Sequence, residues 1–197
     1  MALAVSGMRC QLREVKLRSK PSAMLAASST GTVPILVTPD SSVVDESLAI
    51  MRWALAHRDP EAWLARDDAA LIADNDGAFK QDLDGYKYPQ RHGGDPIPHR
   101  AKGLAFLREI DARLSVHGQL NGTARGFADV AIMPFVRQYS AVDQAWFDTQ
   151  PLPHVRTWLN GHLASDLFKE SMIRLALWSP GDPPTMFPQT EDDRRSG

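Results

Sequence analysis

Apolar positions fall into two regimes along this chain, short runs cut by breakers up to residue 58 and longer stretches at three- and four-residue spacing beyond it. The clearest short runs lie within residues 32–52. Residues 33–37 are rich in β-branched side chains, and Val43-Val44 follow after Thr38-Pro39-Asp40-Ser41-Ser42, a set of turn formers. That spacing predicts a hairpin. Asp45 is the expected N-cap of a helix with Glu46 and Ser47 in its first turn, since Leu48, Met51 and Leu55 recur at i, i+3, i+7. Upstream, residues 1–5 with Gly7 as C-cap read as the last turns of a helix. Residues 11–17 alternate Leu12, Val15 and Leu17 with charged neighbours, as a partly exposed strand does. Pro21 starts a short helix through Ala27, and Ser28-Ser29-Thr30-Gly31 is a loop.

Strand signals stop at Arg58-Asp59-Pro60, which places a domain boundary there: a first domain over 1–58 and a second over 59–178. Helical spacing predicts one helix over 61–83, with Leu64, Leu71, Ile72 and Phe79 inward, and another over 98–115, with Leu107, Ile110 and Leu114 inward. Between them lies the breaker-rich loop 86–96, Tyr86-Lys87-Tyr88-Pro89-Gln90-Arg91 leading into Gly93-Gly94. Residues 119–126 are turn-rich. A helix then starts at Gly126 and carries Ile132, Phe135, Val136 and Tyr139, with Asp129 placed to accept the Gly126 N–H. Further helices are expected over 153–163 and 166–178, the latter with Phe168, Met172 and Leu175 on a face. Residues 179–197, with Pro180, Pro183, Pro184, Pro188 and a charged end, read as a disordered tail.

Composition narrows the functions. The 197 residues are 43% hydrophobic, enough for a core, and a net charge of −2 offers no footprint for nucleic acid or an anionic membrane. No apolar run approaches membrane-spanning length, and the N-terminus lacks a basic leader, so a cytoplasmic protein is expected. The six histidines contain no i, i+4 pair and Cys10 is the single cysteine, so no metal site is expected. Neither a phosphate-binding glycine loop nor a hydrolase nucleophile elbow is present. Cys10 falls after a helix at the entrance to a strand, away from the helix N-terminus a thiolate needs, and reads as an incidental thiol.

The Val33-Pro34 hairpin followed by Glu46-Ser47 at a helix start resembles the glutathione-binding half of glutathione transferases. With Lys20 before Pro21, it looks most like omega-type and related bacterial members, and the likeness extends more loosely to about residue 178. The resemblance implies an α+β two-domain fold: an N-terminally truncated thioredoxin-like domain followed by an all-α C-terminal domain. It implies glutathione as co-substrate and a small electrophile or a disulfide as second substrate. Lys20 would meet the glycine carboxylate, the backbone of Val33, before a cis Pro34, would pair with the cysteinyl unit, and Glu46 and Ser47 would hold the γ-glutamyl end. The Tyr86, Tyr88 and Arg91 run is similar to one near the cleft in some bacterial members, so these three are candidates for second-substrate contact, against a plain packing role. Gly126 departs from the family's Ser or Thr at that cap, at an expected few tenths of a kcal/mol. The family's first strand, its nucleophile-bearing loop and most of its first helix would precede Met1. This implies an internal start, no catalytic residue within these positions, and residues 11–17 left without their ladder partner. Homodimerisation is implied by the resemblance alone. The alternative to a transferase acting in a longer form is a non-catalytic binding or scaffold protein.

Overall fold

The computed structural model describes residues 1–28 and 30–189. It divides into two compact units, Met1–Glu61 with Asp166–Gly197, and Ala62–Ser165.

In the first unit, α1 (Ala2–Ser6) ends on Gly7, whose φ of 70° is the left-handed conformation glycine adopts without strain. Then come β1 (Cys10–Leu12), α2 (Ser22–Ala27), the hairpin β2 (Ile35–Val37) and β3 (Val43–Asp45), and α3 (Ser47–His57). The hairpin is antiparallel, with Ile35 opposite Asp45 and Val37 opposite Val43. Its loop closes where the Thr38 N–H and hydroxyl both donate to the Ser42 carbonyl at 2.9 Å. Asp40 accepts from the Thr38 hydroxyl and from the Ser42 N–H and hydroxyl, and these bonds hold its carboxyl below the usual range. On α3 the buried positions are Ile50, Ala54 and Leu55, and the helix packs on α1. The expected Leu48 and Met51 are half-buried beside that stripe.

The end of the chain departs most from expectation. The helix predicted over 166–178 stops at Ser171, as α10 (Asp166–Ser171), and the chain continues extended. There Ile173 and Leu175 are half-buried while Met172, Arg174 and Ala176 are exposed, a period of two rather than 3.6. Within the stretch expected to be structureless, Thr185–Phe187 forms β4, antiparallel to β1 with Cys10 opposite Phe187 and Leu12 opposite Thr185. Residues 190–197 of that expected tail lie outside the described residues. Thus the strand anticipated over 11–17 contracts to three residues, and it has a ladder partner drawn from the far end of the sequence. The physical reason is the obligation of backbone N–H and C=O groups beside an apolar face to find partners. β1–β4 and β2–β3 are separate two-stranded sheets.

The second unit is helical. A 3₁₀ turn (Leu64–Arg66) precedes α4 (Ala69–Asp74), which runs through one π-helical turn (Asn75–Phe79) into α5 (Lys80–Lys87). The helix expected from residue 61 therefore starts later, at Asp68, whose carboxylate accepts the Leu71 N–H at 3.0 Å and pairs with Arg113 at 2.7 Å. After a 3₁₀ turn (Pro89–Arg91) come α6 (Ile97–His117), α7 (Phe127–Val142), α8 (Gln144–Asp148) and α9 (Pro153–Ala164). The periodic residues Leu107, Ile110, Leu114, Ile132, Val136 and Tyr139 are buried as the pattern required. α5 packs on α6 and α7, and α6 on α9. A Cβ on Gly103 of α6 would lie 2.4 Å from the Tyr139 ring of α7, so glycine sets how closely those helices approach.

Asp129 anchors the α7 start. Fully buried, it accepts from the Gly126 N–H at 2.8 Å, the Leu120 N–H at 2.9 Å and the Trp158 indole N–H at 2.8 Å. Only half of a capping box is possible, because Gly126 has no side chain to return the bond. The geometry explains the glycine: a Cβ there would lie 2.4 Å from the Arg66 Cβ and 2.9 Å from its carbonyl oxygen.

Candidate functional site

Four of the five candidate glutathione-binding positions are set by one stretch of antiparallel chain. In the hairpin register the paired residue numbers have a constant sum. The last pair, Ile35–Asp45, leaves Val33-Pro34 just before one strand and Glu46-Ser47 just after the other, at the same end of the ladder. The Val33-Pro34 peptide bond is cis. Val33 precedes the ladder and is 45% exposed, and Glu46 and Ser47 are exposed as well.

The start of α3 differs from the sequence expectation in an informative way. Asp45 is not its cap. Its carboxylate accepts instead from the Ser28 hydroxyl at 3.0 Å, and a chain of hydroxyl contacts continues from Ser28 to Thr30 at 2.9 Å and from Thr30 to Thr32 at 3.0 Å. This relay ties the loop before Val33 to the end of β3. The N-cap position falls to Glu46, whose carbonyl receives the Ile50 N–H at 3.0 Å and whose side chain makes no capping bond. The first-turn N–H groups of α3 thus have no side-chain cap while facing solvent, an arrangement that favours an incoming carboxylate. Glu46 also has φ 70° and ψ 146°, a backbone conformation that a non-glycine residue adopts only under strain of roughly 1–3 kcal/mol. That turn of the chain redirects it from β3 into α3. Lys20, exposed in the segment just before α2, reaches the same loop: its ammonium lies 3.6 Å from where a Cβ on Gly31 would stand.

Ser28, Thr30, Thr32 and Asp45 thus brace the loop before Val33 against the end of β3, a role that the spacing of three hydroxyls and an acid does not by itself report.

The second-substrate candidates lie in the helical unit and divide. Tyr86 is 5% exposed, with its ring 5.2 Å from the Tyr139 ring and 6.3 Å from the Trp146 ring, and burial raises its hydroxyl pKa. It is a core residue and offers no face to a ligand. Tyr88 is half-buried, with the Lys87 ammonium 5.0 Å and the Arg91 guanidinium 4.9 Å from its ring centre, a cationic stack at the surface. Cys10 is half-buried in β1, and its thiol pKa is raised by desolvation, so it is held as the unreactive thiol. Among the described residues, no three His, Cys, Asp or Glu side chains converge as metal ligands, and no helix is long and apolar enough to cross a membrane.

The family described as "Glutathione S-transferase, N-terminal domain" matches residues 1–57. No curated protein matches the chain. Among solved structures, a glutathione S-transferase from Rhodospirillum rubrum F11 is similar at 21% identity, with 86% of this chain and 82% of that one covered and a TM-score of 0.62. A Tau class glutathione S-transferase from mango, Mangifera indica, is similar at 19% identity over 88% of this chain and 85% of that one, with a TM-score of 0.71. A glutathione S-transferase from Methylobacillus flagellatus, solved with glutathione bound, is similar at 19% identity over 86% and 90%, with a TM-score of 0.69. The family match over the first 57 residues and the likeness to these solved structures give this chain their fold, a thioredoxin-like N-terminal domain followed by a helical C-terminal domain.

Proposed function

We propose that the chain binds glutathione at the junction of the hairpin and α3. The observation that carries this reading is the uncapped, solvent-facing start of α3 beside an Asp45 committed elsewhere. The γ-glutamyl end of the tripeptide carries a carboxylate and an ammonium. The free N–H groups and the Ser47 hydroxyl suit the first, and the Glu46 carboxylate suits the second. Val33, ahead of the ladder, presents its backbone for the cysteinyl unit as an added strand would, next to Pro34. Lys20 answers the glycine carboxylate as a point charge. Tyr88 and Arg91 remain the candidates for contact with a second substrate, and Tyr86 does not.

The reaction such a site serves is transfer of glutathione to an electrophile or reduction of a mixed disulfide. Either requires a group that activates or supplies a thiolate, and none of these binding residues does so; burial raises the Cys10 thiol pKa, the opposite of activation. A non-catalytic binding or scaffold protein is the second reading, favoured by that same lack of an activating group among the binding residues. Homodimerisation and a cytoplasmic location are part of the first reading.

Calorimetric titration of the chain with glutathione tests the proposal, with the Glu46→Ala/Ser47→Ala double variant as control and circular dichroism recorded for both. Saturable binding that the double variant loses while staying folded is the expected outcome. A cooperatively folded wild-type chain that ignores millimolar glutathione overturns the reading and leaves the scaffold.

A further inference from the structure

The segment over residues 172–189 is held at two separated places, to residues 13 and 14 just after β1 and to β1 itself. At the first, the Trp178 N–H donates to the Glu14 carbonyl at 2.8 Å, Leu177 forms a parallel bridge with Glu14, and the Arg13 guanidinium stands 4.6 Å from the Trp178 ring centre. At the second, β4 makes its three-pair ladder with β1. The connection is an exposed turn, closed by the Asp182 N–H on the Ser179 carbonyl at 3.1 Å and the Ser179 N–H on the Asp182 carboxylate at 2.6 Å, with Gly181 at φ 97°. On its other side the segment is loosely backed: a cavity of about 280 Å³ is lined by Phe187, Pro188 and Gln189 together with Lys169, Glu170 and Ile173. The one deeply buried side chain of the segment is Phe187, at 6% exposure, and it stands directly opposite Cys10. Side chains of such a cross-strand pair lie on one face with Cβ atoms about 4.5–5.5 Å apart.

We infer that residues 172–189 form a detachable strap that closes the edge of β1 and, through Phe187, covers the Cys10 thiol. The ladder bonds hold a strand to a strand whatever its sequence, so the side-chain-specific parts of the attachment are Phe187 in its place against Cys10 and the Trp178 ring against Arg13. Release opens two things together. The backbone groups of Cys10–Leu12 lose their partners, and the thiol gains water and access. A segment with this much exposed chain and so short a ladder belongs to the part of a protein that opens locally, ahead of the core.

Alkylation of Cys10 by iodoacetamide reads the opening, since the thiolate sulfur displaces iodide and the single cysteine makes the reaction unambiguous. Phe187→Asn sets an uncharged polar group in the covered position, without a charge to shift the thiol, and should raise the alkylation rate roughly tenfold or more at constant pH, whereas Phe187→Leu should stay near the wild-type rate. Equal rates in wild type and Phe187→Asn overturn the strap. Should Phe187→Asn fail to fold, hydrogen exchange on the wild-type chain decides. Peptides covering β1 and β4 must then exchange together and sooner than the α3 peptide. Exchange of β4 only in step with α3 overturns the inference. Neither readout involves glutathione, so the strap stands or falls apart from the binding proposal.

Discussion

Restoring a serine at Gly126 separates what the sequence pattern favours from what the packing allows. By pattern alone, Gly126→Ser completes a capping box with Asp129 and should stabilise α7 by a few tenths of a kcal/mol. The structure predicts the reverse. The new Cβ would stand 2.4 Å from the Arg66 Cβ and 2.9 Å from the Arg66 carbonyl oxygen, and neither neighbour is a flexible side-chain tip. Arg66 is fixed by its own N–H on the Trp63 carbonyl at 2.9 Å and by two guanidinium bonds to the Arg125 carbonyl, at 3.1 and 3.0 Å. Backbone must therefore move, and overpacking of this kind destabilises by about 1–3 kcal/mol, which outweighs the cap. The net loss should be about 1–2 kcal/mol, a fall in Tm of roughly 2–8 °C for a chain of this size. Urea and thermal unfolding of wild type and Gly126→Ser, followed by helical circular dichroism, provide the measurement. A variant as stable as wild type, or more so, would falsify the steric account and restore the simple capping argument.

Two further outcomes follow from groups held against their preference. Glu46→Gly should relieve roughly 1–3 kcal/mol of backbone strain against about 0.5–1 kcal/mol of added unfolded-state entropy, so the variant unfolds at higher urea while binding glutathione more weakly; lower stability with unchanged binding would contradict both halves. His162 is 4% exposed, and burial lowers its pKa to about 4, only partly offset by Asp129. It is therefore neutral when folded and takes a proton on unfolding below its ordinary pKa, so stability is full above about pH 6.5 and falls by about 2 kcal/mol on reaching pH 5. His162→Met should flatten that pH dependence in urea titrations at pH 7 and pH 5, and an unchanged slope would remove His162 as its source.

How far the sequence carried depends on the range of each interaction. The hairpin, α3, α6, α7 and α9 were legible because their signals are local: turn formers between β-branched runs, and apolar residues at helical spacing. Four of the five binding candidates, Val33, Pro34, Glu46 and Ser47, come from that same compact stretch and its likeness to a family, Lys20 comes from the loop before it, and their role stands as a proposal. The end of the chain was not. Residues 172–178 carry apolar side chains that suit either a helix or a strand, and their extended course ends in pairing with Glu14, more than 150 positions earlier, which local spacing does not report. The Tyr86 role turned on burial behind Tyr139 and Trp146, which spacing does not report. The glycine at 126 looked like a weakened cap and is a steric requirement set by Arg66, sixty residues away.

Helix starts distinguish the two units in a way that bears on function. In the helical unit aspartates accept N–H groups at several helix starts: Asp68 receives the Leu71 N–H at α4, Asp95 the Ile97 N–H at α6, and Asp143 the Trp146 N–H at α8. Asp129 holds the Gly126 N–H before α7, and Asp111, lent by α6, receives the His154 and Val155 N–H groups at α9. Each such bond fills a vacancy that would otherwise destabilise the helix by about 1 kcal/mol. At α3 an aspartate is present in the sequence at the same place and is turned away, to Ser28, while the next residue is held in a strained backbone. The first-turn N–H groups of α3 have no such carboxylate from this chain. A ligand carboxylate would supply the missing acceptor, so stability and binding should be linked at α3 and nowhere in the helical unit.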